Sequence, residues 1–544
     1  MSTFSFSLQS PTRFGPRLGS VVLKRPSIDI EIATPGLLAT TSRGAVPHLS
    51  RDHVRISDAI RWVNVSFETF LEHNPPIPTL QALQPGTSSA SNPLHTFLGF
   101  TPNKHIVSMS ARDPHDGRDM PPNGNAHVSV QSLRGVRKLS PTDWRSYVQA
   151  CQPDIVFALS DTPFTDPQYS QKRLTKSIER SAAWLSSLLN LKSPPPPPKT
   201  STKKVVNNTS SNVDTLIPTN TRIPPVFLHL AGIASPGARK AFSDSLLEPL
   251  SGPEAEALLP LSKLDDGVAG YTIDLVPLKS SVEATSTGVE SQIVPLLVTS
   301  LSALPIPKPR LITATQSPHE ILRYIGSVGV DLFDAGWVQK AADYGVALDF
   351  EFPVRRTSGL REIGHNLYDV RYRMDFGALA DALRGTLSPQ EDIEDKPVCP
   401  CAACSPVSPS TRIFHGHDTP LVSGEEEQSS PRHLPHYTRA YIHHLLHTHE
   451  MSAHALLVLH NLAVLDAFFA GVRGVIKDGE ARWEEEVGRF GEVYDARLGV
   501  VEEARERWRE VDLARGKGRL ARERSKQVDV GAEAVVGVEV RIEV

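Results

Sequence analysis

Short apolar runs alternate with amphipathic helical patterns from about residue 150 to residue 334. Asp154–Leu159 reads as a buried strand, Gln168–Leu191 as an amphipathic helix, Val226–Leu230 as a strand and Gly237–Leu247 as a helix. Tyr271–Val276 and Val294–Val298 are further strand candidates, the second weakened by Pro295, and Arg310–Ala314 is another. Ser317-Pro318-His319-Glu320 then supplies a capping box with proline at the first helical position. A helix over Glu320–Ser327 and a strand over Val330–Asp334 follow. Strands that are apolar throughout, separated by helices, indicate a parallel sheet covered on both faces. At this length and repeat number the expectation is an α/β fold, a (β/α)8 barrel with insertions, ahead of a doubly wound open sheet.

Polar and proline-rich stretches interrupt that pattern. Residues 76–94 and 111–124 read as loops. The five prolines Pro194–Pro198 open a surface insertion, expected to be disordered over about 193–222, because its composition cannot bury enough apolar surface to order itself. Residues 405–435 form a second loop insertion. Residues 438–470 contain neither Gly nor Pro and should be largely helical. From about Ala481 the chain is helical and dense in charge, with Arg505, Arg507, Arg509, Arg515, Lys517 and Arg519 among its basic residues, a pattern that reads first as a solvated helix face. Three regions follow: 1–395 holding most of the barrel, 396–480 a metal-binding subdomain with closing helices, and 481–544 a charged helical tail.

Composition narrows the classes. With 40% hydrophobic residues in 59.5 kDa the chain can bury a large core. A net charge of -4 and pI near 6.6 give no global nucleic-acid signature, so any RNA contact must come from a local patch. The N-terminus lacks a basic segment followed by an apolar one, and no run approaches the roughly 18 apolar residues of a membrane span. The expectation is a cytoplasmic protein, with peripheral attachment to an organelle surface left open.

Candidate chemistry is concentrated in Cys399-Pro400-Cys401-Ala402-Ala403-Cys404, which holds three of the four cysteines. Three thiols within six positions suit a zinc ion, which takes thiolate and imidazole ligands tetrahedrally. The fourth ligand should be a histidine, and spacing leaves the choice open. His443, His447 and His454 share one helical face, His449 and His460 another, and His415, His417, His433 and His436 lie in or beside the insertion.

The same segment, followed by Tyr437-Thr438-Arg439-Ala440-Tyr441-Ile442-His443-His444-Leu445 and Leu459-His460-Asn461-Leu462, resembles the zinc module of tRNA-guanine transglycosylases, with their C-P-C-x-x-C, Y-S-R-A-Y-L-x-H-L and I-H-N-L segments in this order. The resemblance extends back through Lys308-Pro309-Arg310 and Gly329–Asp334, and forward through Gly471–Ile476. Weaker matches include Pro153–Val156, the helix bearing Lys172, Arg173, Arg180, Ser181 and Trp184, Thr34-Pro35 and Val46–Leu49. It implies a (β/α)8 barrel carrying a zinc subdomain, one structural Zn(2+) per subunit, and His460 as fourth ligand beside Cys399, Cys401 and Cys404.

Family enzymes exchange a guanine at the wobble position of tRNAs with GUN anticodons through a covalent intermediate formed by an Asp. Asp334 matches that position, but its surroundings do not. The family's C-V-x-P-T-R is here Ala335-Gly336-Trp337-Val338-Gln339-Lys340. No D-S-G-G-F-Q stands between His95 and His127, and the glycine-rich base loop is replaced by Asp274-Leu275-Val276-Pro277-Leu278. Bulky Leu278 and Pro277 cannot give the close backbone approach that glycines permit. The resemblance therefore implies no catalytic residue in this chain. It points to the non-catalytic partner of a heterodimer whose other subunit does the chemistry on tRNA, with no transmembrane segment. The alternatives are an active transglycosylase using Asp334, or a zinc-containing interaction protein unrelated to tRNA.

Overall fold

The computed structural model describes residues 3–514 except 10, 27, 82–91, 163–168, 191–222, 284–288, 356–358, 388–395 and 408–432. The insertion at 193–222, all of the 405–435 loop but its ends, and the tail beyond 514 thus lie outside the described residues. The chain forms two compact units. The first holds Met1–Gln339, Glu351–Ser358 and Leu462–Val493; the second holds Lys340–Phe350, Gly359–Asn461 and Tyr494–Val544. The boundary expected at residue 395 lies inside the second.

In the first unit, strands β1 (Thr3–Leu8), β2 (Gly19–Lys24) and β3 (Asp29–Thr34) form an antiparallel sheet. Next come β4 (Gly36–Thr40), β5 (Trp62–Ser66) and β6 (Ile106–Ser110), then a two-stranded excursion of β7 (Val128–Ser132) and β8 (Gly135–Leu139). The strands β9 (Ile155–Phe157), β10 (Val226–His229), β11 (Val268–Asp274), β12 (Arg310–Thr313) and β13 (Leu332–Asp334) complete an eight-stranded parallel barrel. It closes where Leu332, Phe333 and Asp334 of β13 pair with Gly36, Leu37 and Leu38 of β4. The expected (β/α)8 barrel is therefore the observed fold. Val21, Leu23, Ile30 and Ile32 of the antiparallel sheet pack into one core cluster with Trp62, Ile106, Phe227 and Leu332 of the barrel. That sheet covers the N-terminal end of the strands and leaves the C-terminal end, where such barrels carry their sites, to the loops.

Two local expectations fail. Val294–Val298 lies inside the helix Val289–Leu301, Pro295 included. A short apolar, β-branched run reads equally as a strand or as a buried helix segment, and the helical neighbours decide it. Residues 438–470 form two helices, Arg439–His447 and Met451–Asp478. His449, at φ 61°, stands in the left-handed conformation, and Glu450 N–H donates back to Leu445 O at 2.9 Å. This is a Schellman-type ending built without glycine, and it splits the face that was to align His443 and His447 with His454.

The helix Met451–Asp478 is long and apolar enough to span a membrane by length and composition, and 72% of its most apolar window is buried inside the protein. At Ser317, the side chain accepts the Glu320 N–H at 3.0 Å as the capping box requires, but Glu320 reaches back one residue further, to Gln316 N–H at 2.8 Å.

Candidate metal centre and barrel mouth

The second unit assembles its candidate site from three separate stretches. β14 (Val346–Leu348) pairs antiparallel with β15 (Gly364–Asn366). One edge of β14 is satisfied by side chains from the helix Met451–Asp478: Asn461 accepts from Leu348 N–H and donates to Val346 O, and His460 Nε2 donates to Leu348 O at 2.9 Å. That last bond fixes the imidazole with Nδ1 turned the other way, toward the cysteine turn. There Nδ1 lies 3.9 Å from Cys399 Sγ, 3.8 Å from Cys401 Sγ and 3.3 Å from Cys404 Sγ.

The four donor atoms all lie within 4.8 Å of one another, and all four residues are buried. Zinc–sulfur bonds near 2.3 Å and a zinc–nitrogen bond near 2.0 Å span tetrahedron edges of roughly 3.6–3.8 Å, so the donor set has the size of that polyhedron. The turn carries its own supports: Cys404 N–H donates to Cys401 Sγ at 3.3 Å, Cys399 N–H to Arg384 O, and Ser405 Oγ to Cys399 O.

The electrostatics of the group require a cation. Hydrogen bonds from Cys401 and Cys404 hold the Cys399 thiol well below its ordinary range, and hydrogen bonds to Cys399 and Cys401 push Cys404 well above it. Burial opposes a charge on His460, yet the neighbouring sulfurs raise it to about 10. Three sulfurs cannot all ionise here without positive charge among them, and a divalent ion supplies it. This buried Cys3His group could hold a metal ion. His443 instead bonds Leu367 O through Nδ1 at 2.9 Å, and His454 bonds Ala342 O at 3.0 Å, both away from the cysteines. His415 and His417 lie outside the described residues.

A second acidic group in this unit, Asp349, His365 and Asp381, is structural in character. Arg439 Nη2 reaches both His365 and Asp381, at 2.9 and 2.5 Å, so a guanidinium already supplies the positive charge. Burial opposes the Asp349 charge, but bonds from His365 and from the Ala382 and Asp381 N–H groups hold its pKa down at about 2.

In the first unit the C-terminal ends of the strands enclose Asp334, the residue at the family's nucleophile position. It is 0% exposed. One oxygen accepts from His115 Nε2 and from Gly336 N–H, both at 2.8 Å, and the other accepts from Ala314 N–H. His115 comes from the loop after β6, which the sequence shows only as loop. Burial pulls its pKa down, but Asp334 and Asp113 outweigh this and raise it to about 10. Gly336 makes the approach possible, since a Cβ there would stand 2.1 Å from His115 Nε2.

Beside this pair, Arg112 lies in the field of Glu68, Asp274, Asp116 and Asp161. Burial is the main force on Glu68 and raises its pKa to about 7. Asp161 receives Arg173, Arg180 and Asn123. A cavity of about 30 Å³, lined by Asp161, His229, Arg239, Asp274, Pro277 and Leu278, has room for one or two waters. Pro277 and Leu278 therefore occupy the mouth, as their bulk implied, because the chain turns straight from β11 into the helix Leu275–Glu283. Sequence reasoning missed His115, Arg112 and Asp161. The available signal was their position: each follows a barrel strand by a few residues, which places it at the mouth.

A sequence model of the queuine tRNA-ribosyltransferase family matches residues 13–210 and 262–494. The chain belongs to this family. Among curated relatives it is 26% identical to the queuine tRNA-ribosyltransferase accessory subunit 2 of Schizosaccharomyces pombe over 499 residues, 90% of this chain and 83% of that one. The protein of the same name from Xenopus laevis is 26% identical over 86% of this chain and 95% of its own, and that from Gallus gallus 24% identical over 85% and 92%. As a family member, the chain carries the family's barrel and the cysteines and histidine of its metal module, with Asp334 held under His115.

Proposed function

We propose that this chain is the non-catalytic subunit of a two-chain queuine tRNA-ribosyltransferase. It pairs with a catalytic subunit of the same family and helps seat the tRNA, while the partner exchanges guanine for queuine at the wobble position. The observation that carries this is the state of Asp334. A nucleophile must meet the anomeric carbon with a free lone pair, and this carboxylate is buried, bonded to three donors and paired with a cation. The residues that would hold a metal are Cys399, Cys401, Cys404 and His460, and zinc is the ion that fits their chemistry and spacing. With four protein ligands it has no open position, so its part is structural and it supplies folding energy rather than a Lewis acid. The relatives' names, which call them accessory subunits, support the same reading. The chain acts in the cytoplasm.

The test is co-expression with the catalytic paralogue, followed by labelled-guanine exchange into tRNA with each chain omitted in turn. The expected result is exchange by the complex and none by this chain alone. Exchange by this chain alone, lost on Asp334→Ala, would assign it the catalytic role instead.

A further inference from the structure

The pocket around Asp334 is built as a ligand site. Its floor is the carboxylate at the end of β13, held in place by the N–H groups of Ala314 and Gly336. One wall is the bare backbone of Gly336, where a Cβ would fall within 2.1 Å of Nε2 and 2.5 Å of Cε1 of the His115 ring. Asp113 stands on the far side of that ring, its Oδ1 3.4 Å from Nδ1. The result is a slot one ring wide, with a buried carboxylate behind it and a second, half-buried carboxylate in front. A buried carboxylate of this kind selects a flat cation that can donate at both ends.

We infer that the barrel mouth is a binding site for a protonated planar nitrogen heterocycle, filled in this chain by the imidazole of its own His115 acting as a tethered ligand. Only that one side chain fills the slot, and the loop that carries it comes from the strand β6, which does not pair with β13. The slot therefore keeps its floor and Gly336 wall when the ring is removed. A free ring of the same chemistry should then enter, donate to Asp334 through one nitrogen and face Asp113 with the other. The inference needs only the geometry at Asp334 and is independent of any role in tRNA modification.

The test uses the full chain. His115→Gly removes the ring and leaves Asp334, Asp113 and Gly336 in place. Thermal unfolding is followed as imidazole hydrochloride is added at constant ionic strength. The expected result is a saturable rise in Tm for H115G and none for the wild type, because a ligand that binds only the folded state stabilises it. The double variant H115G/D334N should bind imidazole about tenfold more weakly or worse, the loss that follows when a charged acceptor is removed.

An absent or non-saturating response in H115G, or an equal response in the double variant, overturns the inference. Should H115G fail to fold alone, recovery of soluble protein by imidazole in the growth medium supports it and lack of recovery counts against it. In the wild type, nitrogen NMR at pH 8 should show His115 protonated on both nitrogens with a slowly exchanging Nε2 proton. A neutral, freely exchanging ring would equally overturn the assignment.

Discussion

Cys401 and His115 show how a single side chain can hold a buried charge balance. Cys401→Ser replaces a soft sulfur donor by a hard hydroxyl in a group that needs three sulfurs and one imidazole. Zinc content, measured by elemental analysis of the purified protein, should fall from about one equivalent toward zero, and solubility should fall with it. Cys151→Ser, at the lone cysteine remote in sequence from the cluster, should retain the metal. At the barrel mouth, Asp334→Asn strands a charged His115 ring. Breaking a buried pair on one side costs roughly 3–5 kcal/mol, so thermal stability should drop clearly. Exchange by the assembled complex, assayed below the new Tm, should stay near the wild-type rate; a collapse of turnover with assembly intact would contradict the proposed role.

The sign of the pH response follows from the same pair. His115 titrates at about 10 in the folded chain, well above the ordinary histidine value of about 6.5. Its contribution is complete below pH 6.5 and is lost as pH rises from there to about 10. His115→Gln should therefore flatten the alkaline limb of the stability profile measured by denaturant unfolding. Asp349, held near 2, works in the opposite direction: its contribution is present above about pH 4 and fades as pH falls toward 2.

Among the elements, the cysteine turn and the helix bearing His460 are joined by a loop whose bulk the site does not use. Leu434 N–H donates to Pro406 O at 2.9 Å, and Val407 and His433 form an antiparallel bridge, so the two ends of the loop already meet. Replacing residues 408–432 by a short Gly/Ser linker should leave zinc content unchanged, because loop-closure entropy varies slowly with length. Loss of metal on that deletion would move the fourth ligand to His415 or His417. The strand β14 and the helix Met451–Asp478 form the other half of the frame. His460 and Asn461 are adjacent residues, and together they bond both Leu348 backbone groups and Val346 O. Asn461→Leu should leave these groups unpaired and lower metal affinity without touching a ligand, the usual effect of losing a group that orients one.

For the molecule as a whole, the expected unit of function is a pair with one open barrel mouth and one filled mouth. Equilibrium binding of labelled guanine to the purified complex should therefore saturate at one base per pair, and this chain alone should bind none. Two bases per pair would show that the mouth of this chain opens in the complex.

The sequence by itself determined the barrel strands, the three-cysteine turn and, through its family pattern, the choice of His460. Each is carried by a local signal: an apolar run of strand length, a C-x-C-x-x-C spacing, a four-residue motif. The weakening of Asp334 was also legible, from the residues that follow it and from Pro277 and Leu278. What tertiary structure alone decided lies between distant segments. His115 and Asp334 are 219 positions apart, and nothing local in Arg112–Asp116 says that its charges fold over the mouth. Nor does local periodicity tell that Val294–Val298 continues a helix, since an apolar run buried on all sides has no polar face to reveal its period. The break at His449 was hidden for a related reason: a histidine took the left-handed position that glycine usually marks, and only the hydrogen bonds closing the helix end show it.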